Sequence, residues 1–295
     1  MASLDPAKYI SPIWASNLFK GKVVFCTGGN GTICSAQVRA LVYFGADACI
    51  VGRNGPKTDE AAKSIATARQ GAKVLGIGGV DVKNADAVAG AVEKCVQELG
   101  GLDFLIAGAA GNFVAPINGL STNAFKSVID IDVLGSYHAL KPCLPHLVAS
   151  AAKKQGGGRV IFISATFHYT GFPMQTHVSA AKAAVDALSN NVAIEFGPRG
   201  VTSNVIAPGP IAETEGMKRL AGLSGSGKEG IAGSIPLQKY GSVRDIADAT
   251  VYLFSSAGDY VNGHVLVVDG GAWRTMSSSD EKAGAYPAMF MDSKL

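Results

Sequence analysis

Seven short apolar runs, rich in β-branched residues, alternate along this chain with longer segments whose apolar residues recur at helical spacing. No other feature constrains the fold as much, because two parallel strands need a long crossover between them and that crossover is usually a helix. Strands are expected at 23–27, 48–52, 73–77, 103–106, 159–163, 202–206 and 264–268. Helices are expected near 33–45, 59–69, 85–99, 122–152, 177–196 and 243–254. Right-handed crossovers then give a doubly wound α/β fold, a parallel sheet of seven strands with helices on both faces. A length of 295 residues without internal repeats fits a single domain of this kind.

Bulk properties narrow the function classes. The mean hydropathy is +0.22, yet runs such as "KVVFCTGG" and "HVLVVDGG" fall well short of the ~18 uncharged residues of a membrane span. Strands buried on both faces explain that hydropathy instead. A net charge of +3 without a dense Lys/Arg stripe suits small anionic ligands and argues against nucleic acid. Cysteines 26, 34, 49, 95 and 143 and histidines 138, 146, 168, 177 and 264 show no metal-ligand spacing, so no metal is expected. The thiols read as small core residues of a reducing compartment, and the histidines as ordinary polar or core residues.

Three segments stand outside the alternating rhythm. Residues 1–20 read as an N-terminal arm in which Asp5 and Pro6 interrupt what an export signal would need to be apolar. Residues 209–235, rich in Gly and Ser inside the domain spanning 21–274, read as a substrate loop. The polar tail 275–295 finishes in Ser293-Lys294-Leu295, a tripeptide read as a peroxisomal import address, so the import receptor is an expected partner and the peroxisomal matrix the expected location.

The stretch "KVVFCTGGNGTICSAQ" runs from strand through a glycine turn into a helix. Gly28, Gly29 and Gly31 would let backbone N–H groups approach a pyrophosphate where the helix dipole favours an anion. The next strand closes in "IVGRN", with Arg53 where an NAD-binding chain would carry an acid for the ribose hydroxyl. A planar cation there suits a 2′-phosphate, with Lys57 close by, and points to NADPH.

Together with "LIAGAAGNFVAP", "GRVIFISATF", "HVSAAKAAVDAL", "NVIAPGPIAET" and "VVDGG", in that order, the glycine turn resembles the short-chain dehydrogenases/reductases over roughly residues 20 to 272. The resemblance implies a Rossmann-type sheet with the cofactor held by Thr27, Gly28, Gly29, Gly31, Thr32 and Ile33. It places Asp81 and Val82 at the adenine, and Pro208, Gly209, Ile211 and Thr214 at the nicotinamide amide. Lys182 falls at the nicotinamide ribose and Ser164 at the position of the catalytic serine. It also implies a homo-oligomer, a dimer or tetramer.

Several positions depart from the family pattern. Thr32 and Cys34 stand for glycines, the latter an expected source of crowding between helix and strand, and Ala107 and Gly108 stand for asparagines. Asp132 replaces an asparagine, and Val178 replaces the tyrosine four residues before the lysine. A ketone reductase needs an acid beside the forming alkoxide, which valine does not provide. Reduction of a diene conjugated to a thioester differs, because the proton finally goes to carbon. Water held by Asp132 and Lys182 then suffices as the acid. The pattern is similar to the family's dienoyl-CoA reductases, which implies NADPH-dependent conversion of a 2,4-dienoyl-CoA to a 3-enoyl-CoA in β-oxidation, with Asn112 and Phe113 lining the acyl-CoA site. Two alternatives stay open at this level: a trans-2-enoyl-CoA reductase, and a nucleotide-binding module without catalysis.

Overall fold

The computed structural model describes residues 4–153, 156–214, 216–217, 232–233 and 235–275. Its seven strands form one parallel sheet in the order β3-β2-β1-β4-β5-β6-β7. They are β1 Val23–Thr27, β2 Asp47–Gly52, β3 Val74–Gly78, β4 Phe104–Ala107, β5 Arg159–Ile163, β6 Thr202–Pro208 and β7 Val265–Val268. Each lies within a residue or two of its expected place. The Rossmann-type doubly wound sheet is therefore the fold of this chain.

Alternate residues of each strand feed opposite layers, as the period of two requires. Val24, Cys26 and Ile50 face the layer covered by α1 (Thr32–Tyr43), α2 (Gly55–Ala66) and α8 (Val243–Phe254). Val23, Phe25, Cys49 and Val51 face the layer covered by α3 (Ala85–Leu99), α5 (Gly135–Ala152) and α7 (Thr176–Phe196). Helix α2 begins earlier than its apolar spacing suggests, because Asn54 caps it by accepting from Lys57 N and Pro56 sits in its first turn.

The expected helix over 122–152 is divided. It runs as α4 (Thr122–Val128), a π-helical turn (Ile129–Leu134) and α5. Apolar periodicity did not resolve this widened turn, which inserts a residue into a continuous ladder without changing the character of either flank. Gly135, where α5 resumes, presses on Val82, and a Cβ there would lie 2.6 Å from Val82 Cγ2.

The arm is packed on the domain. Tyr9, Ile10 and Phe19 are buried, and Asp248 of α8 accepts hydrogen bonds from Ser11 N, Ser11 Oγ and Trp14 Nε1. Most of the expected substrate loop 209–235 and the Ser293-Lys294-Leu295 terminus lie outside the described residues. In this strand order the chain winds outward from β1 to β3 and returns to β4, so the loops after β1 and β4 diverge. That switch point opens a crevice at the carboxyl ends of the strands, where ligands bind in such sheets.

Candidate active site

The crevice is a cavity of about 350 Å³, with Gly28, Gly31, Thr32, Arg53, Asp81 and Thr214 among its walls. Ile33 and Val82 also line it. Gly28 adopts φ +68°, and a Cβ on it would stand 2.9 Å from Ala109 Cα, so only glycine fits the turn. Gly31 is the N-cap of α1 and offers no capping side chain, which leaves the first N–H groups of the helix available to an anion.

Gly29 and Thr27, also expected at the cofactor, brace the turn from the sheet side. Gly29 faces the sheet, where a Cβ would come within 2.6 Å of Ile50, so it allows the turn after β1 to pack directly on β2. Thr27 is buried, and its Oγ1 accepts from Gly108 N at 3.2 Å and Ala109 N at 3.3 Å, tying the glycine turn to the loop after β4.

The crowding expected from Cys34 does not arise. A Cβ on Gly108 would lie 2.2 Å from Cys34 Sγ, so the thiol fills space that a side chain at 108 would need. Two departures from the family pattern thus compensate each other. Arg53 is exposed at the groove rim, whereas Lys57 is exposed on α2 and is not among the groove's lining residues. Val82 O accepts from His138 Nδ1 at 2.8 Å, and Asp81 pairs with Lys83 at 3.6 Å.

The chemical end lies under α7 and the π-helical turn. Lys182 Nζ donates to Ile163 O at 2.9 Å and stands 2.9 Å from Asp132 Oδ2. The other carboxylate oxygen accepts from Gly111 N at 2.7 Å. Asp132 is 1% exposed and Lys182 6%, so each charge depends on the other and on these two backbone bonds for solvation. Val178, one turn before the lysine, is buried with Val128 and Ala181 against Phe113, Ile129, Val133 and Phe167. The place of a phenol is hydrocarbon throughout.

Ser164 follows β5, donates its N–H to Ile206 O and is buried beside Asp186. The sequence carries no expectation for Asp186 or Tyr169, and His168 reads there only as an ordinary polar or core residue. Asp186 Oδ2 lies 2.8 Å from His168 Nε2 and accepts from Tyr169 Oη at 2.5 Å, both on the short helix α6 (Phe167–Thr170). Burial alone would raise the Asp186 carboxyl, but hydrogen bonds from His168 and Tyr169, with the Ser164 hydroxyl close by, outweigh it and hold the group below the ordinary range. Burial, then the contact with Asp186, pushes the Tyr169 phenol up. The available signal was spacing: Asp186 is four residues after Lys182 and so shares its helix face.

His177 is a core histidine, as expected, and it also holds a loop. It is fully buried, stacks on Phe113 with centroids 4.2 Å apart, and donates from Nε2 to Phe113 O at 3.1 Å. Gln175 Nε2 donates to the same carbonyl at 3.1 Å, so the start of α7 fixes the loop carrying Asn112 and Phe113. On the opposite wall, Pro208 ends β6 and Gly209 lies so close to Asp269 that a Cβ would come within 2.3 Å of it. Ile211 is buried and bridged to Gly241, and Thr214 Oγ1 donates to Ile211 O at 2.9 Å. Asp132, Lys182, Ser164 and the 112–113 loop meet around α7, while the glycine turn and Arg53 form the far end of the groove.

A family model described as enoyl-(acyl carrier protein) reductase matches residues 29–272. The chain belongs to the short-chain dehydrogenase/reductase family. In this family the groove takes a nicotinamide dinucleotide, and the glycine turn, uncapped α1 and open crevice fit that ligand. The peroxisomal 2,4-dienoyl-CoA reductase [(3E)-enoyl-CoA-producing] of Saccharomyces cerevisiae is 55% identical over 88% of this chain and 87% of its own length. Proteins of the same name from Danio rerio and Arabidopsis thaliana are 40% and 39% identical, over 92% and 87% of this chain and 87% and 86% of theirs. Among solved structures, levodione reductase superposes with a TM-score of 0.80 at 26% identity, covering 87% of this chain and 99% of that one.

Proposed function

We propose that this chain is an NADPH-dependent 2,4-dienoyl-CoA reductase that releases a trans-3-enoyl-CoA, and that it works in peroxisomal β-oxidation. The observation that carries the reading is the buried Asp132–Lys182 pair facing a hydrocarbon cluster where a phenol would stand. The names of the yeast, fish and plant relatives support the substrate and the compartment.

Gly28, Gly31 and the first turn of α1 hold the pyrophosphate, Arg53 the 2′-phosphate, and Lys182 and Thr214 the nicotinamide half. When bound, NADPH supplies a hydride to the far end of the diene. Negative charge then spreads over the thioester enolate, and the product forms when Cα takes a proton. No alkoxide is made, so no phenol is needed beside it. The carboxylate of Asp132 holds a water, Lys182 fixes that carboxylate through the ion pair, and the water gives a proton to Cα while the hydroxide left behind takes one from solvent. Ser164, whose buried hydroxyl has no hydrogen-bond partner among the described residues, hydrogen-bonds the thioester oxygen as charge builds on it. The stacked Phe113 and His177 keep the acyl chain beside the pair.

Purified protein supplied with NADPH and 2,4-hexadienoyl-CoA in deuterated water tests the reading. We expect loss of nicotinamide absorbance and a 3-enoyl product carrying one solvent deuteron on Cα. Absence of turnover with dienoyl-CoA thioesters of several chain lengths would overturn it. Arg53→Ala should lower the preference for NADPH over NADH by about tenfold or more, the worth of one charge-assisted contact.

A further inference from the structure

A second cavity, of about 310 Å³, adjoins the dinucleotide groove and shares Asn30 and Thr32 with it. Its other walls come from the N-terminal arm, α1, α2 and the start of α8. We propose that this cavity binds a small phosphate-class anion, inorganic phosphate or a phosphate monoester, separately from the cofactor.

The argument starts from Arg39 on α1. Its side chain is almost closed to solvent, with the residue 6% exposed, yet among the described residues no carboxylate lies within ion-pair distance of it. The guanidinium instead meets neutral groups. It donates to Ser64 Oγ at 2.7 Å and, weakly, to Thr67 Oγ1 at 3.5 Å, and it lies 5.6 Å from the centroid of the Tyr9 ring. Burial pushes its pKa down, the direction expected of a cation without a counter-charge. If Arg39 served packing alone, an aliphatic side chain would fill the place without that desolvation cost.

Tyr9 supplies an independent observation. It is 3% exposed, lines the same cavity, and its hydroxyl has no hydrogen-bond partner among the described residues. Burial raises the phenol, so it remains a protonated donor. Lys8, exposed on the arm, adds a second positive charge, and no Asp or Glu is among the residues lining the cavity. The acid of the arm, Asp5, is exposed and caps the first turn through Ala7 N, and its charge acts on the Tyr9 phenol less than that of Arg39 does. A guanidinium fork, an ammonium, a phenol and a serine hydroxyl around one space suit a tetrahedral oxyanion. Arg53 lines only the first cavity, so this site is distinct from that of the 2′-phosphate.

Thermal unfolding of the full chain, with inorganic phosphate exchanged for chloride at constant ionic strength, tests the proposal. We expect a phosphate-dependent rise in Tm that survives in Arg53→Ala, weakens in Lys8→Glu, and needs about tenfold more phosphate in Arg39→Gln. If Arg39→Gln does not fold, phosphorus NMR line broadening on the wild type and on Lys8→Glu replaces it, with weaker binding expected in the variant. No Tm rise, or a rise lost in Arg53→Ala and kept in Arg39→Gln, would overturn the proposal. So would a loss of NADPH affinity in Arg39→Gln without loss of NADH affinity, because the occupant would then be the cofactor's own phosphate.

Discussion

Lys182 Nζ and Asp132 Oδ2 stand 2.9 Å apart inside the protein, and they meet because a π-helical turn carries the aspartate toward α7. The remaining bonds of the pair run to backbone, from Gly111 N to the carboxylate and from Lys182 to Ile163 O. Its geometry is therefore set by β4, β5 and the loops that follow them. Breaking either member leaves a buried charge unpaired, which is far more damaging than the net worth of the pair suggests.

Restoring the family's tyrosine should not restore its chemistry. In Val178→Tyr a phenol must enter a cluster that Val128, Ala181, Phe113 and Phe167 already fill. Overpacking of this kind costs about 1–3 kcal/mol. We expect a lower Tm, no gain of ketone reduction, and slower dienoyl-CoA turnover, read by calorimetry and steady-state assays on the two substrate classes.

Cys34 and Gly108 should behave as one unit. Gly108→Ala places a methyl group 2.2 Å from Cys34 Sγ and should destabilise the protein by about 1–3 kcal/mol while weakening NADPH binding. Adding Cys34→Gly should recover most of both losses. Chemical denaturation and cofactor titration of the two single variants and the double variant would measure the coupling. Additive effects would show that the two positions are independent.

Burial of His177 sets a pH dependence of stability. Desolvation lowers its pKa from the ordinary 6.5, against smaller opposing effects of the Phe113 carbonyl and Asp132. The unfolded chain then takes up a proton near 6.5 while the folded chain does not. This contribution is complete above 6.5 and is lost as the pH falls through the folded value. His177→Gln should flatten the decline in unfolding free energy between neutrality and about pH 5, measured by urea titration at a series of pH values. An unchanged slope would remove this assignment.

The parts of the fold that were legible in the sequence are those where one local rule decides the outcome. Buried parallel strands must be apolar on both faces, and "VVFCT" and "RVIFI" have that character, so β1 and β5 fall where expected. Asp132 and Lys182 could be matched as a pair because each occupies a position with a known partner in the family pattern. The π-helical turn was not legible, since its one extra residue leaves both flanking helices with ordinary spacing. The bracing contacts of Gly29 and Thr27 are not legible, because glycine and threonine in a turn look alike whichever way they face. The spacing puts Asp186 on the Lys182 face of α7, but its partners His168 and Tyr169 join it only when α7 packs against the turn after β5, which local spacing does not show.

The most direct measurement is the turnover of Asp132→Asn with a 2,4-dienoyl-CoA, set beside its affinity for NADPH. If the aspartate and lysine deliver the proton to carbon, kcat should fall by about 10²–10⁴-fold, the usual worth of a general acid, while the NADPH Kd changes by less than about threefold. Turnover within about tenfold of the wild type, with the cofactor still bound, would contradict that assignment and return the source of the proton to another group.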